Sequence, residues 1–208
     1  STVQRRQLDL VAQLNRLHRR QHLEESELSA RIASFELAFR MQTAAPEAFD
    51  IDAESSSTRQ LYGIDHKETE FFGRQCLLAR RLVERGVQFV QIFVNNQIWD
   101  MHSHLENEIR AACDKTDRPV AALLKDLKQR GLLDSTLVCW LTDFGRTPKI
   151  NSASGRDHWS TSGFAIMSGA GIPQGQILGE TDGEGGQVIS NEYHSDDIAT
   201  PVYKKLGI

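Results

Sequence analysis

One short stretch, residues 136–142, constrains the fold more than any other part of this sequence. It reads Thr-Leu-Val-Cys-Trp-Leu-Thr, a nearly continuous apolar run that is typical of a strand buried on both faces. The β-branched and aromatic content of residues 87–94 predicts a second strand, and residues 164–167 predict a shorter third one. Weaker signals lie at 176–178 and 188–189. The second half of the chain is therefore predicted to contain a sheet.

The first part of the chain has helical spacing instead. A first helix is predicted around residues 3–17, a second after the N-cap Ser26, and a third over residues 67–85. Gly86 supplies the residue that follows the third helix. Between the second and third helices, residues 43–66 are rich in small and acidic side chains and are predicted to be a loop.

Helices also separate the predicted strands. A helical region follows the first strand, restarts near Pro119 and ends at Gly131, and a closing helix covers residues 196–206. Alternating strands and helices predict the α/β class. We expect residues 1–85 to form a helical region that packs on an α/β core at residues 86–208.

Charge and cysteine usage exclude several classes of protein. The chain has 28 acidic and 24 basic residues and a net charge of −4, so no overall positive field favours a nucleic-acid partner. Its arginine-rich helices are interleaved with Glu and Asp, which predicts solvated faces. No apolar run is long enough to predict membrane insertion. Cys76, Cys113 and Cys139 are isolated from one another and are predicted to be buried free thiols.

Carboxylate and imidazole side chains cluster at four places in the second half, mostly after predicted strands. Ligands bind at the carboxyl ends of strands in open α/β sheets. Mixed oxygen and nitrogen ligands suit Zn²⁺, Mn²⁺ and Fe²⁺, so the pattern predicts a divalent-metal site. The candidate metal ligands are Asp100, His102, His104, Asp143, Asp157, His158 and His194.

Arg146 is the candidate substrate-binding residue. Its planar cation suits a phosphate or sulfate oxyanion. Gly145 and Gly155 flank this region and would let backbone segments approach closely. Together with the metal candidates, these residues predict a site for a small anionic substrate.

Four stretches of the sequence resemble a known family: FGRQCLLARRLVERGVQFVQIF, WDMH, LLKDLKQRGLLDSTLVCWLTDFGRTP and GRDHW. In this order they resemble the uncharacterised domain-of-unknown-function 1501 family, often labelled sulfatase-like and placed in the alkaline phosphatase superfamily. The resemblance implies a partial alkaline-phosphatase-like α/β/α sandwich with a helical N-terminal third.

The same resemblance implies a ligand set. Asp100 with His102 or His104 matches the first Asp-His motif of the superfamily, and His158 matches a later loop histidine. Asp143 matches the Asp that ends the next core strand, although Phe144 stands where phosphatases have histidine. The implied cofactor is a divalent metal, first Zn²⁺, with Mn²⁺, Ca²⁺ or Fe²⁺ as further candidates.

The resemblance also implies a hydrolase of phosphate or sulfate esters, with a small anionic ester as substrate. Superfamily enzymes carry their nucleophile in an N-terminal half, so the catalytic nucleophile is expected outside this chain. The missing half or a second copy of the chain is the expected protein partner, and export to the periplasm or beyond is implied.

Other functions remain open at this stage. The main alternative is a non-catalytic binding or structural domain that keeps the fold. A Ser-His-Asp hydrolase could use Ser103, Ser160 or Ser162, but the sequence has no Gly-x-Ser-x-Gly elbow. A dinucleotide site at Gly169-Ala-Gly171 is disfavoured because Pro173 follows and no helix does.

Overall fold

A computed structural model describes residues 2–21, 31–32, 34–35 and 46–208. The chain divides into two compact units, Ser1–Asp50 and Ile51–Ile208. All the candidate site residues lie in the second unit.

The first unit contains helix α1, Thr2–Gln21, which confirms the first predicted helix. Residues 31–32, 34–35 and 46–49 are also helical. Most of the second helix, predicted to follow Ser26, lies outside the described residues.

In the second unit, a 3-10 turn at Ile51–Ala53 precedes helix α2, Ser56–Leu61, and helix α3, Glu70–Glu84. The prediction of a loop throughout residues 43–66 is therefore wrong. Ser55 caps α2 by accepting a hydrogen bond from Thr58 N at 3.1 Å. Residues 55–57 are all serine, so the sequence does not show which of them is the N-cap. Helix α3 confirms the third predicted helix.

Helix α4, Leu105–Gln129, is a single helix that runs through Pro119. The predicted restart at this proline is wrong. Proline removes one helical hydrogen bond, but burial of its ring against the core offsets that cost. Helix α5, Ser195–Leu206, closes the chain as predicted.

In the described part of the chain, the strands form three separate antiparallel pairs. The strands are β1 Leu137–Leu141, β2 Gly145–Arg146, β3 His158–Trp159, β4 Ala165–Gly169, β5 Glu180–Thr181 and β6 Val188–Ser190; β2 pairs with β3, and β5 with β6. Strands β1 and β4 pair with Leu137 opposite Gly169 and Leu141 opposite Ala165. These two strands confirm the predictions at 136–142 and 164–167, and β6 confirms the weaker one at 188–189. The protein thus mixes helices with strands, as the α/β class requires.

Residues 87–94 do not form the predicted strand, and neither do residues 176–178. Within 46–208, neither segment belongs to a strand ladder. Ile92 packs against the core, whereas Phe89 and Phe93 are 63% and 66% exposed. β-propensity describes how well a side chain fits a sheet surface, so it produces a strand only where another strand pairs with it.

Strand β1 is also less buried than its apolar sequence predicts. Its first four residues are half-buried and Leu141 is exposed. Since β1 has one partner strand, its second edge and much of its surface stay accessible within 46–208.

The core of the second unit lies where α3 packs against α4. Burying aliphatic side chains between two helices is the main stabilising term here. The buried cluster comprises Ile51, Tyr62, Ile64, Cys76, Leu77, Ala122, Leu123, Leu127 and Leu133. Among the cysteines, all of which are free, Cys76 is buried as predicted, and burial raises the pKa of its thiol to about 12. Cys113 and Cys139 are only half-buried.

A buried charge cluster borders this core. Arg80 on α3 is 1% exposed and forms ion pairs at 2.8 Å with both Glu54 and Asp126. Tyr62 Oη also donates to Asp126, at 3.0 Å. Burial would raise the pKa of Glu54, but hydrogen bonds from Arg80 and Arg81 hold it below its ordinary value. The prediction that the arginines of this helix face solvent is therefore wrong for Arg80 and Arg81.

Among the helices in the described part of the chain, none combines the length and the apolar character needed to cross a lipid bilayer.

Candidate metal centre

Three side chains bring potential ligand atoms to one point. His102 Nε2 and His158 Nε2 lie 3.1 Å and 2.9 Å from Asp100 Oδ1, and 3.1 Å from each other. An ion bound at about 2.0–2.2 Å to each ligand places neighbouring ligand atoms about 3.0–3.5 Å apart. The triangle formed by the three atoms therefore has the dimensions of one face of a metal coordination shell.

Two separate stretches of chain supply this triangle. Asp100 and His102 follow the 3-10 turn Asn95–Gln97, and His158 opens strand β3. The pairing of β2 with β3 sets Arg146 opposite His158, which brings the arginine to the same place.

The loop at residues 151–155 holds the two stretches together. Asn151 Nδ2 donates to His102 O at 3.0 Å, and Leu105 N donates to Ser154 O at 2.9 Å. Arg156 N then donates to Met101 O at 3.0 Å. These backbone contacts fix the position of His102 relative to His158.

Glycine is required at two points of this framework. A Cβ atom on Gly155 would fall well inside van der Waals contact of the His102 carbonyl, and one on Gly145 would overlap the Ser162 carbonyl. The prediction that these two glycines permit close backbone approach is therefore confirmed.

Replacing Gly155 by alanine is expected to push the 151–155 loop away from His102. Such a clash with backbone costs about 1–3 kcal/mol, because neither segment can rotate out of the way. Urea unfolding should show this loss. Gly183→Ala is the matched control, since a Cβ there meets no atom within 4 Å. Equal unfolding midpoints for the two variants would contradict the packing described above.

Asp157 orients His102 and does not join the triangle. Its Oδ1 lies 2.8 Å from His102 Nδ1 and accepts a further hydrogen bond from Asn151 Nδ2 at 3.1 Å. A carboxylate only accepts, so the proton of the neutral imidazole sits on Nδ1 and the Nε2 lone pair faces the triangle. The same contact with His102 lowers the pKa of Asp157. Carboxylates commonly orient metal-binding histidines in this way.

Asp157→Asn is expected to weaken zinc binding about 10–100-fold, because it replaces the charged acceptor that fixes the His102 ring with a neutral amide oxygen that accepts more weakly. Competition with a chromophoric chelator would measure the affinity. Asp143→Asn makes the same chemical change at an exposed aspartate and serves as the control, because Asp143 Oδ1 accepts from Phe144 N and lies outside the metal-competent group of the described residues. Unchanged affinity in Asp157→Asn would show that Asp157 does not orient the ring.

Arg146 contacts the triangle directly. Its Nη2 donates to Asp100 Oδ1 at 2.7 Å, and its guanidinium carbon lies 5.7 Å from the centre of the Phe144 ring. Phe144 in turn packs on His158, with ring centres 4.3 Å apart. Hydrogen bonds from His158 and Arg146 hold the pKa of Asp100 at about 2, so its carboxylate stays ionised well below neutral pH.

The triangle is accessible from solvent. The side chains of Asp100, His102 and His158 are 33%, 46% and 51% exposed. The ligand side chains are therefore open to solvent, and a small ion could meet them without a rearrangement of the core.

The other predicted ligands lie elsewhere in the structure. Asp143 Oδ1 accepts a hydrogen bond from Phe144 N at 2.9 Å. His104 precedes α4 in a left-handed conformation, φ 47° and ψ 35°. His194 precedes α5 and donates its backbone N–H to Asp197 Oδ2 at 2.8 Å. Among residues 46–208, the metal-competent group comprises Asp100, His102 and His158 and includes none of these three.

Sequence reasoning missed Asn151. This residue binds the backbone N–H groups of Ala153 and Gly155 through Oδ1, at 2.9 Å each, while its Nδ2 reaches His102 and Asp157. An asparagine four residues before the required glycine was the available signal, since asparagine side chains commonly bond the backbone of their own turn.

Comparison with known proteins places the chain in a family. The family model described as a protein of unknown function (DUF1501) matches residues 1–208. No curated protein and no solved structure matches the chain. The match thus covers the whole sequence, including every residue of the triangle.

Proposed function

The chain belongs to the DUF1501 family, and we propose that it is part of a sulfatase-like or phosphatase-like metal-dependent hydrolase of phosphate or sulfate esters. One observation carries the proposal: Asp100, His102 and His158 present three ligand atoms about 3 Å apart, with Arg146 beside them. In this proposal the core is a partial alkaline-phosphatase-like α/β/α sandwich, and the nucleophile lies outside these residues.

The chemistry of the donor set fits a divalent metal. With the proton of His102 fixed on Nδ1 by Asp157, its Nε2 has no proton to donate. The triangle then consists of three atoms with lone pairs: one carboxylate oxygen and two ring nitrogens. The His158 ring can place at most one proton among these atoms, so a cation satisfies their lone pairs better. Two imidazoles and one carboxylate favour Zn²⁺, with Mn²⁺ and Fe²⁺ next, whereas the oxygen-preferring Ca²⁺ fits less well.

Each residue has a distinct task in this mechanism. A bound divalent cation supplies Lewis-acid polarisation of the ester oxygen and lowers the pKa of the attacking group. Asp100, His102 and His158 hold the cation, and Asp157 with Asn151 fixes the ring of His102. The guanidinium of Arg146 offers paired N–H donors to the oxygens of a phosphate or sulfate group.

The proposal also includes partners and location. The substrate is a small anionic ester, and an N-terminal half or a second copy of the chain completes the site. Export to the periplasm or beyond suits an enzyme that acts on esters outside the cytoplasm.

A second candidate function is a non-catalytic binding or structural domain that retains the fold. The ion pair between Arg146 and Asp100 favours it, because this pair already satisfies the carboxylate without a bound ligand. In that case the cluster would stabilise the loop at 151–155 and the strands β2 and β3.

Hydrolysis by the full-length gene product distinguishes the two candidates. We expect aryl phosphates or aryl sulfates to be cleaved after zinc is added, and we expect Asp100→Ala to abolish this cleavage. Zinc binding without turnover on either ester class would favour the binding domain. Turnover that survives both chelation and Asp100→Ala would contradict the proposed role of the triangle.

A further inference from the structure

We infer that Arg146 competes with the metal for Asp100, so that metal binding releases its guanidinium to bind the anion. The inference rests on the proposed function, since it concerns the order of events at the same site. Arg146 would then do more than contact the anion: it would also couple anion binding to metal binding.

The competition follows from crowding at one oxygen. Asp100 Oδ1 lies 2.7 Å from Arg146 Nη2, 2.9 Å from His158 Nε2 and 3.1 Å from His102 Nε2. Among the described residues, no hydrogen bond or ion pair involves Asp100 Oδ2. A carboxylate oxygen has two lone-pair sites, so a cation bound to Oδ1 leaves at most one site for the donors that now crowd it. His158 can turn its Nε2 to the cation, whereas Arg146 can only donate, so Arg146 is the group that competes.

Charge acts in the same direction. A guanidinium held against a ligand oxygen is a full positive charge within a few ångströms of the metal position, and it opposes a divalent cation. Arg146 is therefore an internal cation that already pairs with the carboxylate vertex of the triangle.

The released arginine stays close to the site. Its guanidinium lies over the Phe144 ring, and its Nη1 donates to the Arg156 carbonyl at 3.5 Å. Both contacts are independent of Asp100. An arginine held in this way presents unpaired N–H groups next to the metal, where an oxyanion can take up two of them at once.

Thermodynamic linkage makes the coupling reciprocal. If zinc frees Arg146 for an anion, the anion must tighten zinc binding by the same factor. Direct contact between anion and metal would also produce such a gain, so the gain alone does not establish the role of Arg146. The zinc affinity measured without an anion does establish that role.

The decisive experiment titrates zinc into the whole chain in a buffer free of phosphate and sulfate, against a chromophoric chelator. Arg146→Gln is expected to bind zinc about tenfold more tightly than the wild type, because it removes the competing cation. Arg156→Gln is the matched control. It removes an arginine charge from the same region, but Arg156 Nη1 donates to Thr147 O and not to Asp100.

Adding sulfate completes the test. Sulfate should tighten zinc binding in the wild type and in Arg156→Gln, and should do so less in Arg146→Gln. Equal or weaker zinc binding in Arg146→Gln than in the wild type would overturn the inference, because Arg146 would then merely support Asp100, for example from Oδ2. Failure of both proteins to bind zinc would overturn the proposed metal site as well, whereas binding by Arg146→Gln alone would support both.

Discussion

Replacing Arg80 by alanine is expected to lower the free energy of unfolding by about 3 kcal/mol, because it takes a buried cationic partner from two nearly buried carboxylates and leaves them to Arg81 and Arg130. Arg80 forms ion pairs with Glu54, Glu84 and Asp126, at 2.7–2.8 Å. The side chains of Glu54 and Asp126 are 11% and 7% exposed, so water cannot replace the lost guanidinium. Urea unfolding of the variant and the parent would measure the difference.

Arg74→Ala is the matched control on the same helix. Arg74 is 39% exposed and lies 3.6 Å from Glu70 and 3.7 Å from Asp52, so its removal should cost no more than about 1 kcal/mol. Similar losses of unfolding free energy in the two variants would show that burial does not make the ion pairs of Arg80 more stabilising than those of Arg74. Arg80→Lys should be intermediate, because one ammonium group cannot meet three carboxylates with the geometry of a guanidinium.

Replacing Asp100 by alanine is expected to weaken zinc binding at least about 100-fold, which exceeds the effect expected from an orienting residue. Asp100 supplies the oxygen vertex of the triangle and its only negative charge. Its loss leaves two imidazoles beside Arg146, a combination that repels a cation. Competition against a chelator would measure the affinity.

The variant Asp143→Ala distinguishes the ligand set seen in the structure from the ligand set of the superfamily pattern. The alkaline-phosphatase-like pattern expected from the sequence would place Asp143 on the metal. Among residues 46–208, however, the metal-competent group does not include Asp143, whose Oδ1 accepts a hydrogen bond from Phe144 N. We therefore expect zinc affinity close to that of the wild type in Asp143→Ala. A loss equal to that of Asp100→Ala would mean that the loop after β1 rearranges to bring Asp143 to the metal.

Local sequence patterns predicted the elements that depend on local interactions. The third helix ends where expected because Gly86 adopts φ +84°, a conformation that favours glycine. Strand β1 was predictable because its apolar run is continuous. In contrast, residues 87–94 have the composition of a strand but pair with no strand of the described residues, and no local pattern reports whether a partner is present.

The candidate site was predictable in residue type but not in grouping. Asp100, His102 and His158 were all named from their Asp/His context, yet so were Asp143 and His194, which the fold leaves outside the triangle. The pairing of β2 with β3 and the turn built by Asn151 decide which residues meet. These local features bring the site together only through contacts that join distant parts of the sequence: His158 meets Asp100, 58 residues away, and Asn151 meets His102, 49 residues away. The burial of Arg80 against Asp126 is long-range in the same way.

Metal content is the measurement that tests the central claim most directly. The protein would be purified without a histidine tag or a chelator, loaded with Zn²⁺, dialysed and analysed by elemental mass spectrometry, alongside a triple variant in which Asp100, His102 and His158 are alanine. The metal centre described above predicts about one equivalent of zinc in the parent and none in the variant. Equal zinc content in the two proteins, or none in the parent, would contradict it.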